Sequence, residues 1–94
     1  MNFSVLYHPD IGEDLRSIPW NVRERIRRAI EERLFTDPVR FGEHLKRSLH
    51  GYRKLRVGDY RVIYTVGGST VTVWKIGHRR DVYRHMVRRT RSES

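Results

Sequence analysis

Residues 52–76 hold three short runs in which apolar and polar side chains alternate: Tyr52 to Val57, Tyr60 to Val66 and Thr70 to Ile76. Gly58-Asp59 separates the first two and Gly67-Gly68 the last two. Alternation with a period of two is the mark of a strand with one buried face. Glycine-containing dipeptides at this spacing close hairpins, so the three strands are expected to be antiparallel neighbours. Such a meander must bury one of its two faces. The rest of the chain has to supply the cover.

Strand alternation also sorts the charges. Tyr60, Val62, Tyr64 and Val66 fall on one side, with Leu55 and Val57; Arg61, Ile63 and Thr65 fall on the other, with Lys54 and Arg56. Arg53 belongs to the apolar side or an edge. Lys54, Arg56 and Arg61 are therefore expected together on a face left open to solvent. The nearest acid in the sequence is Asp59. Ordinary wet faces mix both signs of charge, whereas this one reads as an anion site.

The cover comes from the N-terminal half. Phe3 to His8 alternates as a first strand, ended by Pro9. Asp10 to Ile18 reads as a short helix with Ile11, Leu15 and Ile18 on one stripe. After Pro19, Val22, Ile26, Ala29, Ile30 and Leu34 share one face of a longer helix to about Phe35, which Asp37-Pro38 ends. Asn21 and Glu24 have the spacing of a capping box at its start. Val39 to Gly51 reads as an irregular connection, Val82 to Arg89 as a short basic helix, and the residues from about 90 as a disordered tail. The order is β-α-α-β-β-β with a final helix. This is an α+β fold: a helical hairpin packed on a mainly antiparallel four-stranded sheet, in a single domain spanning residues 1–94.

At 94 residues the chain is the size of one domain, too small for a deep cofactor cavity. It has no cysteine, which excludes disulfides and thiolate metal sites. Its five histidines show no ligand-like pairing, so neither a metal nor any other cofactor is expected. The N-terminal MNFSVLYHPD lacks the basic start and apolar run of a signal peptide, and no stretch is long enough to span a bilayer. A cytoplasmic protein with no membrane partner is the expectation.

The net charge is +9 and is unevenly placed. Residues 1–43 carry 7 basic and 8 acidic residues, net −1; residues 44–91 carry 13 basic and 2 acidic residues, net +11. A cationic surface confined to half the chain attracts polyanions, nucleic acid first among them. The closing KIGHRRDVYRHMVRR puts His78, Arg79, Arg80 and Tyr83 just past the last strand, near the start of the Tyr60 strand and hence near Arg61.

LHGYRKLRVGDYRVIYTV, the VWKIGHRRDVY ending and the element order together resemble the RelE family, toxins of type II toxin–antitoxin pairs within the RelE/ParE superfamily. The resemblance covers nearly the whole chain. It implies an endoribonuclease that enters the ribosomal A site and cuts mRNA by attack of a 2′-hydroxyl, leaving a 2′,3′-cyclic phosphate. By position it implies catalytic roles for Lys54, Arg61, Arg79 and Tyr83. It also implies contacts to RNA or the ribosome from Arg53, Arg56, His78, Arg80, Lys46 and Arg47, with His78 placed as a substitute proton-transfer group.

The implied partners are an acidic antitoxin, mRNA and the 70S ribosome with its rRNA. The free toxin is expected as a monomer and the antitoxin complex as a hetero-oligomer. The chemistry is consistent from below. Guanidinium groups fit two phosphate oxygens and offset the charge of a phosphorane. Arginine stays protonated, so proton transfer falls to Tyr83 or Lys54. The alternatives are a ParE-like toxin that poisons DNA gyrase without nuclease chemistry, and a plain RNA-binding module.

Overall fold

The turn at Gly58-Asp59 forms where the sequence places it, and Gly58 takes the left-handed φ of 59° that such a turn requires. The structure is a computed structural model that describes residues 3–46 and 49–93, with side chains as far as Arg89. In chain order the elements are β1 (Ser4–Tyr7), α1 (Ile11–Arg16), α2 (Trp20–Ala29), a π-helical turn (Ile30–Leu34), α3 (Pro38–Phe41), β2 (Glu43–His44), β3 (Arg53–Val57), β4 (Tyr60–Gly67), β5 (Thr70–His78) and α4 (Val82–Glu93).

The sheet has five strands in the order β1-β5-β4-β3-β2, one more than the sequence indicates. β2, β3, β4 and β5 pair antiparallel, and β1 adds to β5 in parallel. The extra strand lies in the segment read as irregular. It is two residues long, with Glu43 opposite Lys54 and His44 opposite Arg53. Both are exposed polar residues, so the pairing is backbone completing a sheet edge and leaves no apolar signature.

α1, α2 and the π-helical turn cover one face, where Ile11, Ile18, Ile26, Ile30 and Leu34 meet Leu55, Val62, Tyr64, Val71, Val73 and Ile76. The π-helical turn keeps this contact going. An α-helix rotates by about 40° too far with each four-residue step. Ile26, Ile30 and Leu34 are spaced by four, and the wider turn, with the Phe35 N–H donating to the Ile30 carbonyl at 3.2 Å, holds Leu34 over the core. The capping box does not form. The helix starts at Trp20 directly after Pro19, the Arg23 Nε donates to the Ile18 carbonyl, and Glu24 pairs with Arg27.

The opposite face is not open. A second core of Leu49, Ile63, Val82 and Met86, flanked by Leu45, Tyr52, Trp74, Tyr83 and Val87, seats α4 and the connection before β3 on it. Ile63, read among the cations, is the sheet's contribution to this core. α4 also continues to Glu93, past Arg89 where the tail was expected to begin. The cations are left only the part of the face next to the β3 edge.

Candidate active site

Arg56 on β3 stands directly opposite Arg61 on β4, and Lys54 stands opposite Ile63, one diagonal step from Arg61. Alternation puts all three on the side away from α2. Like charges directly opposed across an antiparallel pair are destabilising. Their concentration here is a cost that a bound anion would offset.

Arg61 is far less exposed than the sequence implies: only 5% of its surface is accessible. Its Nη1 donates to the Gly58 carbonyl at 2.8 Å and the Tyr60 carbonyl at 2.9 Å. One arm of the guanidinium thus clamps the β3–β4 turn. Arg61 also lines a groove of about 290 Å³ with Arg33, Phe41, Glu43, Lys54 and Arg56.

The Lys54 Nζ lies 5.9 Å from the centre of the Tyr83 ring. α4 brings Tyr83 there because its first turn sits down on Gly77, the residue opposite Arg61. A Cβ at Gly77 would meet Val82 Cγ2 at 3.4 Å, so the small residue lets the helix start close to the sheet. Lys54 also faces Glu43 at 3.8 Å across the β2–β3 pair. Lys54 therefore links two neighbourhoods: it stands beside the Tyr83 ring and lines the groove with Arg56 and Arg61.

The other residues singled out by sequence are placed differently. The Arg79 N–H donates to the Asp59 carbonyl at 2.8 Å and its Nε lies 3.8 Å from Asp59 Oδ1, at the sheet end where the β3–β4 turn closes. It flanks the Arg61 clamp. Its neighbour Arg80 is exposed. His78 stands opposite Tyr60, their rings edge to face at 5.5 Å, on the α1 side of the sheet and away from Arg61. That placement gives it no direct part beside Lys54 and Tyr83. Arg53 also points to the helix side, where its Nη1 donates to the Val39 carbonyl at 3.2 Å. Lys46 is exposed in the connection after β2, and Arg47 lies outside the described residues. Tyr52 and Trp74 pack edge to face at 5.8 Å within the second core.

Three contributors have no local signature. Arg33 enters the groove from the π-helical turn, and Arg25 and Arg28 line a second groove of about 300 Å³ with Arg56 at the β3 edge. They belong to the half of the chain that is nearly neutral overall, and only the packing of α2 on the sheet shows where they go.

Residues 5–83 match the family model described as the ParE toxin of type II toxin–antitoxin system, parDE. The chain belongs to this toxin family. The match spans every element from β1 to Tyr83, and the family lies within the RelE/ParE superfamily. Among its relatives, the toxin RelG of Mycobacterium tuberculosis is 33% identical over 89% of this chain and 99% of its own length. The toxin RelE3 of Methanocaldococcus jannaschii is 31% identical, covering 84% of this chain and 93% of that protein. In the solved RelBE2 toxin–antitoxin complex of Mycobacterium tuberculosis, one chain superposes with a TM-score of 0.77 at 26% identity, covering 84% of this chain and all of that one. The chain is thus similar both to RelE-type toxins and to a solved structure of that kind.

Proposed function

We propose that this toxin is an mRNA endoribonuclease that acts in the ribosomal A site and so arrests translation. The observation that carries the reading is Lys54, which lines the groove with Arg61 and Arg56 while its Nζ lies 5.9 Å from the centre of the Tyr83 ring. In this reading Arg61 and Arg56 hold the scissile phosphodiester. The O2′–P bond forms and the P–O5′ bond breaks, leaving a 2′,3′-cyclic phosphate and a free 5′-hydroxyl. One of Tyr83 and Lys54 takes the 2′-hydroxyl proton and the other delivers a proton to O5′ or orients the phosphate. Arg79, beyond the turn, neutralises charge on flanking RNA. The ribosome bends the strand into line, and positioning supplies the acceleration that weak proton-transfer groups do not.

The relatives RelE3 and RelG support a RelE-type activity. The family model, described as ParE, favours a second reading in which the same fold poisons DNA gyrase. A gyrase poison has no need of a lysine–tyrosine pair beside an arginine-lined groove. Primer extension on mRNA in a translating extract, run beside a supercoiling assay, separates the two. The nuclease reading expects new mRNA ends that vanish with Arg61→Ala and weaken with Arg79→Ala, and unaffected supercoiling. Intact mRNA with blocked supercoiling would select the gyrase reading, and neither effect would leave an RNA-binding module.

The partner is an acidic antitoxin, as complexes of related toxins with RelB antitoxins support. It binds the basic groove or displaces α4, and its affinity falls as salt rises. The toxin alone is a monomer that acts in the cytoplasm. Among the described residues no helix is long and apolar enough to cross a membrane.

A further inference from the structure

β1 covers only part of the β5 edge. It ends at Tyr7, opposite Val73, and the His8 N–H donates to the Val73 carbonyl. Beyond that point side chains complete the edge. The Ile76 N–H donates to Asp14 Oδ2 at 3.0 Å, where a neighbouring strand would offer a carbonyl. At Trp74 the β4–β5 register shifts. The Trp74 carbonyl accepts from Arg89 Nη1 at 2.8 Å.

The same guanidinium grips both oxygens of Asp14, Nη1 to Oδ2 at 3.0 Å and Nη2 to Oδ1 at 3.2 Å. Lys75 Nζ donates to Oδ1 at 2.7 Å. The Asp14 side chain is only 3% exposed. One buried carboxylate thus joins α1, β5 and α4.

The clasp acts on α4. Val82, Met86 and Arg89 follow one another at helical spacing toward the sheet, and Val82 and Met86 are fully buried. Apolar contacts alone allow a helix to slide or roll. A two-pronged arginine–carboxylate pair fixes direction as well as distance. α4 also carries Tyr83, whose ring stands beside Lys54.

We propose that Asp14 is a positioning residue: through Arg89 it sets the seat of α4 and thereby the stand-off between Tyr83 and Lys54. The inference rests on reading Lys54 and Tyr83 as the cleavage site. Nothing in the proposal requires Asp14 to touch RNA.

The test uses the full chain with two variants. Asp14→Asn keeps the shape and removes the charge; Arg89→Lys keeps the charge and removes the fork. Amide exchange should speed up about tenfold or more across residues 82–89 in both variants, with β4 still protected as proof of folding. Unchanged exchange in α4 would overturn the proposal.

Single-turnover cleavage on programmed ribosomes is the second arm. Asp14→Asn should lower the rate constant on the order of 10–100-fold with little change in the half-saturating concentration. In a Tyr83→Phe background the same substitution should add almost nothing, because both act through one group. Equal losses in the two backgrounds would mean a merely structural role and would also overturn it. If Asp14→Asn does not fold, Arg89→Lys carries both arms. A wild-type chain that cuts no mRNA sinks the nuclease reading, while the exchange arm still decides whether Asp14 seats α4.

Discussion

The Lys54 ammonium lies 5.9 Å from the centre of the Tyr83 ring, so an α4 residue meets a β3 residue that itself lines the groove with Arg61. The contact has two separable parts. The aromatic face attracts the cation, worth roughly 0.5–1 kcal/mol. The hydroxyl contributes nothing to that attraction. Tyr83→Phe should therefore melt within about 0.5 kcal/mol of wild type and lose about 10²–10⁴-fold in cleavage, the usual span of a proton-transfer group. Thermal melting and cleavage measured on the same preparation check this. A Phe variant that cuts as well as wild type would remove Tyr83 from the chemistry.

Arg56 and Arg61 give a prediction of opposite signs. They are directly opposed on neighbouring strands, so Arg56→Gln should raise stability by a few tenths of a kcal/mol by removing the repulsion. The same change should weaken binding to single-stranded RNA and flatten its salt dependence by about one phosphate contact. A variant that loses stability, or whose salt slope does not change, contradicts the placement of Arg56 at the anion groove.

Tyr64 predicts an alkaline transition. Its hydroxyl donates to the Pro38 carbonyl at 2.6 Å in a buried setting. Burial pushes its pKa up to about 12, with nearby Arg53 pulling the other way. The folded state therefore favours the neutral phenol more than the unfolded state does. That stability is complete below the ordinary tyrosine pKa near 10 and is lost as pH rises from there toward 12. Phenolate absorbance during an alkaline titration should show one tyrosine ionising well after the exposed ones. A Tyr64 that titrates with the others contradicts the burial.

Gly42 makes that hydrogen bond possible. A Cβ there would land on the Tyr64 hydroxyl. Its backbone is extended, so the constraint is space rather than φ. Gly42→Ala should cost about 1–3 kcal/mol by overpacking, and Tyr64→Phe should recover part of it. Denaturant unfolding of the single and double variants measures the coupling.

The buried Asp14 clasp should outweigh the exposed ion pairs in stability. Asp14→Ala leaves Lys75 and Arg89 partly buried with no shared counter-charge, a loss of about 3–5 kcal/mol. The exposed Arg16–Glu13 pair should contribute about 0–1 kcal/mol. Thermal melts of Asp14→Ala and Glu13→Ala compare the two directly.

These predictions divide along what the sequence makes legible. Period-two alternation and two glycine turns are local, so they placed Lys54, Arg56 and Arg61 on one face and Arg53 on the other. The neighbouring strands followed, with the end of the last strand near the start of the Tyr60 strand; the register that sets Tyr60 opposite His78 is seen only in the structure. The same register carries His78 to the wrong face for the site, a consequence of parity that nearness in sequence conceals. Cover for the second face came from α4, where Val82 and Met86, flanked by Tyr83 and Val87, are apolar anchors set in a run of cations, and Arg89 looked like surface. Asp14 sits within the Ile11–Ile18 stripe at helical spacing, and a carboxylate in an apolar stripe is the one local signal that could have shown its burial. β2 and the inward turn of Arg33 depend on tertiary contacts and have no local trace.

The most direct test of the central claim is the chemistry of the cut ends. Ribosomes programmed with a defined mRNA and paused with an empty A site are mixed with the toxin, and the 3′ ends are mapped and tested for a 2′,3′-cyclic phosphate. The account predicts a cut within the A-site codon bearing that end, abolished by Tyr83→Phe. Full-length mRNA after saturating toxin, or cuts that persist unchanged in Tyr83→Phe, would contradict it.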